Sequence, residues 1–210
     1  MKPYFVLIII AIFLFSSCEN SRIYTIETDY GIMKIKLLDS TPKHKENFIK
    51  LVKEKYYDGL LFHRVIQNMV IQGGDPDSRN APPDAKLGIG GPGYEIPAEI
   101  GVPHFKGMVA AARQGDILNP NKMSSGSQFY IVQGYPIDDR ELDVIEKAKN
   151  IKYTPAQREK YKRLGGAPML DKDYTVFGEI IEGLDVLDKI AAVKTDDFNR
   201  PLQDIKMKIY

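Results

Sequence analysis

Residues 33–37 read Met33-Lys34-Ile35-Lys36-Leu37, and the last six read Ile205-Lys206-Met207-Lys208-Ile209-Tyr210. Strict alternation of apolar and charged side chains suits an extended strand with one face on a core and the other in water. Both ends of the chain are therefore committed to half-buried strands. Tyr24, Ile26 and Thr28 supply an antiparallel partner for the first, joined near Asp29-Tyr30-Gly31. Further short runs rich in β-branched and aromatic residues fall at 62–66, 69–72, 127–132 and 175–181, with a small-residue strand at 107–113. Two stretches change to the helical period. Phe48, Leu51, Val52 and Tyr56 follow the helix-opening pair Thr41-Pro42 and stop at Asp58-Gly59, and Leu184, Leu187, Ile190 and Ala191 form a later amphipathic stripe. Short strands with one helix early and one late predict an all-β fold, a closed antiparallel barrel with an α-helix over each end.

The chain has 210 residues, 43% of them apolar, which is enough for one domain with a sizeable core. A net charge of +1 and the absence of a basic tract give no electrostatic case for nucleic acid. His44, His63 and His104 lie far apart with no Cys or His at ligand spacing, so neither metal nor cofactor is expected. The single cysteine, Cys18, follows Lys2, an apolar run at 6–15 and Ser16-Ser17. That arrangement predicts a signal peptide at 1–17 of the bacterial lipoprotein type, with Cys18 lipidated as the new N-terminus. A plain uncleaved anchor stays open, because Phe15 is unusual three residues before such a cysteine. Either way the expected protein is a monomer of the cell envelope, tethered to the membrane by a short stretch at 18–23 and facing the periplasm. The folded domain is expected at 24–210.

Some stretches invite a chemistry that their surroundings do not support. Gly88-Ile89-Gly90-Gly91-Pro92-Gly93 has dinucleotide-fingerprint spacing, but Pro92 and Pro97 forbid the helix whose amides would meet a pyrophosphate. Glu95 and Glu99 are read as surface charge on the same loop. Ser127 is not in a nucleophile elbow and has no histidine nearby in sequence. Residues 136–168 carry two helical stripes, the second opened by the capping box Thr154-Pro155-Ala156-Gln157, and Gly165-Gly166 closes the segment. We expect an antiparallel helical hairpin that shades a groove, binds a partner or merely decorates the barrel.

Arg64 is the residue least suited to its setting, a permanent cation inside an apolar strand, with Gln72 beyond it on the next strand. It either faces water on the polar side of the sheet or stands beside an apolar groove and offers its guanidinium fork to a carbonyl. Periodicity alone leaves both readings open. Phe62-His63-Arg64-Val65-Ile66 with Gln72-Gly73-Gly74-Asp75, then Gly126-Ser127-Gln128-Phe129-Tyr130-Ile131, then Leu170-Asp171 with Tyr174-Thr175-Val176-Phe177-Gly178, resemble the cyclophilin-type peptidyl-prolyl isomerases, in family order.

That resemblance implies an eight-stranded barrel that catalyses cis/trans exchange at Xaa-Pro bonds and assists protein folding in the envelope. Its partners would be proline-containing segments of client proteins. Carried over by position, it implies that Arg64 donates to the substrate prolyl amide and Gln72 orients Arg64. Met69, Tyr130 and Leu170 would line the ring pocket, with Tyr174 at its edge and Val70 at its rim, and Ala112, Arg113 and Gln128 would flank the peptide backbone. Met69 stands where phenylalanine is usual, Met169 where tryptophan is frequent, Tyr174 where histidine is common and Arg113 where asparagine is found. The missing tryptophan donor implies weak cyclosporin binding. Met69 and the insertion also motivate a rival from another class, a module that clasps proline segments without turning them over, and an envelope chaperone is a third.

Overall fold

The computed structural model describes residues 23–210. The expected leader, Cys18 and most of the tether lie outside the described residues. Strands β1 (Ile23–Thr28) and β2 (Gly31–Leu37) form the expected hairpin, with Ile26 opposite Met33 and Tyr24 opposite Ile35. Helix α1 (Pro42–Lys53) follows and buries Phe48, Leu51 and Val52. Thr41 does not cap it, because its hydroxyl turns back to the Leu38 carbonyl. The cap is Glu99, expected from sequence to be loop surface. Its carboxylate accepts from the amides of Lys43 and His44 at 3.2 and 3.1 Å and from His44 Nδ1 at 2.6 Å. An anion belongs there, since the first amides of a helix are unpaired and carry its positive end.

The remaining strands and α-helices are β3 (Arg64–Ile66), β4 (Val70–Gly73), β5 (Glu95–Ile96), β6 (Met108–Ala111), β7 (Ser124–Ser125), β8 (Phe129–Val132), helices α2 (Asp139–Lys149) and α3 (Pro155–Leu164), β9 (Val176–Glu182), α4 (Leu184–Ala191) and β10 (Lys208–Ile209). Eight strands form one antiparallel sheet in the order β10-β1-β2-β9-β6-β8-β4-β3, and β5 pairs with β7 alone. The expected closed barrel is corrected here: β3 and β10 are the margins of a strongly curled, open half-barrel. The C-terminal alternation holds, with Ile205, Met207 and Ile209 buried and Lys206 and Lys208 exposed. Only two of these residues join the ladder as β10, however, because Ile205 and Met207 bond to irregular chain instead. Phe62 donates to the Ile205 carbonyl at 2.9 Å, and Met207 donates to that of Leu60 at 2.8 Å.

The sheet is covered on both faces along β4, β8 and β6. Ile71, Val109, Phe129 and Ile131 point into the main core, where α1 contributes Phe48 and Leu51 and α4 contributes Val186, Leu187 and Ile190. Their neighbours Val70, Ala110, Tyr130 and Val132 point the other way, into a second cluster with Phe105, Leu142, Tyr153 and Tyr161. The insertion supplies much of that second cluster. It is the expected hairpin, and both of its helices open with reciprocal capping boxes, Asp138 with Glu141 and Thr154 with Gln157.

Candidate active site

Strand register assembles the site. Arg64 pairs with Gln72 across β3 and β4, Gln72 with Tyr130 across β4 and β8, and Tyr130 with Ala110 across β8 and β6. Residues directly opposite in neighbouring strands share a face. The cation, the amide and the phenol therefore form one transverse row on the outer face of the sheet.

The row has a polar branch with a fixed direction. Arg64 Nη1 donates to Gln72 Oε1 at 3.3 Å, Gln72 Nε2 donates to Gln128 Oε1 at 3.0 Å, and Gln128 Nε2 donates to the Gly90 carbonyl at 2.7 Å. Flipping either amide would set a carbonyl against a carbonyl or an NH₂ against the guanidinium, so the chain holds in one sense only. Arg64 is exposed and has no carboxylate partner among the described residues. One of its five donors is used on Gln72, which leaves four free among the described residues.

Arg64 stands over a predominantly apolar groove of about 900 Å³ lined also by Met69, Val70, Tyr130, Leu170 and Tyr174. A second cleft of about 390 Å³ adjoins it, shares Gln72, Ala112 and Arg113, and adds Gln128 and the Gly90 loop. Every catalytic and substrate-binding residue singled out from sequence thus lines one of two adjoining hollows. Arg113 lines both hollows, and its side chain is engaged within the protein. The guanidinium donates to the Asp173 carbonyl at 2.7 Å and the Gln114 carbonyl at 2.8 Å, pairs with Asp116 and lies 4.7 Å from the Tyr174 ring centre. Its charge is spent within the chain.

The glycine loop that mimics a phosphate cradle does bind an anion, and the anion is internal. Gly88 and Gly90 donate to Asp75 Oδ2, and Asp77 donates to Oδ1. Asp75 is fully buried at the end of β4, so the loop is tied to the strand that carries Gln72.

The family model for cyclophilin-type peptidyl-prolyl cis-trans isomerases matches residues 23–210. The chain belongs to this family. A protein of Staphylococcus epidermidis named as a peptidyl-prolyl cis-trans isomerase is 34% identical over 188 residues, 89% of each chain. A Streptococcus pyogenes protein named as a bifunctional phosphatase and peptidyl-prolyl isomerase is 36% identical over 184 residues, which are 86% of this chain but 36% of that one. Among solved structures, a cyclophilin-type isomerase of Cryptosporidium parvum, crystallised in the presence of the dipeptide Ala-Pro, superposes with a TM-score of 0.63 at 24% identity, over 90% of this chain and 97% of that one. A cyclophilin of Hirschia baltica gives 0.60 at 19% identity, over 91% and 74%. The protein is a peptidyl-prolyl isomerase.

Behind the groove of this cyclophilin lies a buried network that the sequence does not announce. Asp171 is 4% exposed and accepts four bonds. The His104 amide and Nδ1 reach Oδ1 at 2.7 and 2.8 Å, and the hydroxyls of Tyr153 and Tyr161 reach Oδ2 at 2.6 and 2.7 Å. His104 Nε2 lies 3.0 Å from the Tyr130 hydroxyl. Burial pushes all three phenols up from their ordinary range, so they stay protonated and donate. Asp171 belongs to one of the family motifs, but its partners lie up to 67 residues away and no spacing rule reaches them.

Proposed function

We propose that this cyclophilin rotates Xaa-Pro bonds of client segments in the groove beneath Arg64, as a monomer of the cell envelope anchored to the membrane through Cys18 and facing the periplasm. The observation that carries the groove assignment is the transverse row of Arg64, Gln72 and Tyr130 at the mouth of an apolar hollow. The Ala-Pro dipeptide present in crystals of the Cryptosporidium relative supports a proline-containing ligand.

Rotation about a peptide bond faces a barrier of roughly 18–20 kcal/mol because twisting destroys the amide resonance. No covalent bond forms or breaks, so the site needs neither nucleophile nor acid/base pair. Arg64 donates to the prolyl carbonyl or to the ring nitrogen, whose lone pair is released as the amide twists, and Gln72 keeps the guanidinium oriented. Shortening tens of seconds to milliseconds takes about four decades, or roughly 5.5 kcal/mol. One charge-assisted bond contributes about 1.5–3 kcal/mol, so the apolar walls at Met69, Tyr130 and Leu170 must favour the twisted ring by a comparable amount.

Arg113 offers the substrate backbone a free amide and carbonyl. The Ala112 amide and carbonyl are bonded to the Gln128 carbonyl and the Ser125 amide, each within 2.9 Å, whereas those of Arg113 make no bond among the described residues. Arg113 thus flanks the peptide through its main chain while its side chain braces Tyr174.

The test compares exchange of a proline tetrapeptide with the intact chain and with Arg64→Ala. A fall of roughly ten- to a hundredfold in kcat/KM is expected. Equal rates overturn the assignment, and peptide binding without acceleration would favour the non-catalytic clasp. For the tether, Cys18→Ser should release the protein from the membrane fraction; unchanged fractionation overturns it.

A further inference from the structure

We infer that the insertion hairpin sets the proline pocket of this cyclophilin through a buried hydrogen-bonded relay, with Tyr153 and Tyr161 as positioning residues for Tyr130. The inference rests on Tyr130 walling the pocket, as proposed above. The relay starts on the insertion, where Tyr153 and Tyr161 donate to Asp171 Oδ2 at 2.6 and 2.7 Å. It passes through Asp171 Oδ1 to His104 Nδ1 at 2.8 Å and from His104 Nε2 to the Tyr130 hydroxyl at 3.0 Å. Tyr161 and His104 are fully buried, and Asp171, Tyr130 and Tyr153 nearly so.

Direction follows from donor and acceptor chemistry. A carboxylate only accepts, so His104 Nδ1 carries a hydrogen, and in the Nδ1–H tautomer Nε2 accepts from Tyr130. The phenolic hydrogen of Tyr130 is thereby drawn away from the groove. A phenol left unpaired in the wall of an apolar pocket would hold water or seek a partner on the substrate, at the expense of the ring it should pack against. Engaged by the relay, Tyr130 offers the pocket an aromatic face. Tyr174 meets the Tyr130 ring edge-on at 5.6 Å and the His104 ring at 6.4 Å, so the orientation of His104 is felt at two walls of the site.

The hairpin is docked so as to hold this geometry. Ala167 donates to the His104 carbonyl at 2.8 Å, and a Cβ on Gly166 would collide with that oxygen and with the Tyr161 ring. Two of the four donors on Asp171 come from the insertion. Without them Oδ2 loses both its partners, and the carboxylate is free to turn from His104.

The experiment is a double-mutant cycle read by kcat and KM for a proline tetrapeptide. Tyr153→Phe/Tyr161→Phe is made with Tyr130 intact and again with Tyr130→Phe. With Tyr130 intact kcat/KM should fall on the order of fivefold, chiefly through KM, and in the Tyr130→Phe background the same pair should cost nothing further. No change with Tyr130 intact, or the same fold-loss in both backgrounds, overturns the relay. If the pair does not fold, each single variant carried through the same cycle decides between these outcomes. Arg64→Ala measured in parallel separates the two claims. If it leaves turnover intact, the groove assignment fails and takes this inference with it; if it abolishes turnover while the cycle shows no coupling, the relay alone fails.

Discussion

Arg64 and Gln72 face each other across the three-residue ladder of β3 and β4, and the guanidinium reaches the amide oxygen at 3.3 Å. Gln72 is held in turn by Gln128, so the cation is aimed by a chain of amides anchored on the Gly90 carbonyl. Gln72→Ala should lower kcat/KM about fivefold, the worth of roughly one neutral hydrogen bond. Arg64→Lys should recover little of the loss caused by Arg64→Ala, because an ammonium lacks the fork that bonds Gln72 and the substrate together. Tetrapeptide exchange checks both, and full activity in the lysine variant would contradict the argument.

Asp171 is the most heavily bonded buried carboxylate among the described residues, with two donors from His104 and two from tyrosines. Asp171→Ala strands those donors in the interior. We expect a loss of about 3–5 kcal/mol of stability, against about 1 kcal/mol for Tyr161→Phe, in urea unfolding. Losses of similar size for the two variants would contradict this ranking.

His63 is 4% exposed, and neither of its ring nitrogens has a hydrogen-bond partner among the described residues. Burial lowers its pKa to about 4, outweighing the nearby Asp75 carboxylate, which acts in the opposite direction. The folded value lies below the usual value near 6.5, so between these limits the unfolded chain binds more protons. Stability should fall as pH drops from about 6.5 toward 4, by up to about 1.4 kcal/mol per unit from this residue. His63→Phe should flatten that slope in urea midpoints taken at successive pH values. An unchanged slope would place the effect elsewhere.

Glu99 is pushed up by burial, yet the His44 side chain and the His44 and Lys43 amides outweigh this and hold it below its ordinary value. A depressed carboxylate stabilises the fold above its unfolded pKa and ceases to do so as pH falls through its folded one. Glu99→Ala should therefore cost about 1 kcal/mol near neutral pH, the usual worth of a helix cap, and progressively less as pH falls below the ordinary carboxylate range. A cost independent of pH would mean that packing matters and charge does not.

What the amino acids reveal unaided is whatever repeats locally. The alternation at 33–37 and 205–210, the stripes of α1 and α4 and the Thr154 capping box all describe neighbours within a turn or a pleat. Barrel closure is beyond such patterns because it depends on whether β3 meets β10, and periodicity says which face is buried but not which margin is paired. Glu99 looks like loop surface in the sequence because its partners, Lys43 and His44, lie 56 and 55 residues away. The relay behind Tyr130 is hidden for the same reason. The groove residues can be named because Arg64, Gln72, Gln128 and Tyr130 sit in motifs, although only strand register explains why they meet.

That register has a consequence for how the site can vary. Both faces of β4 and β8 are covered, so sliding either strand by one position would drive Gln72 or Tyr130 among Phe129 and Ile131 while evicting those residues into the hollow. A single inserted or deleted residue there cannot yield a folded enzyme with a slightly shifted pocket. Variation must come from exchanging side chains in place, as with Met69, or from remodelling the loops and hairpin that frame the row.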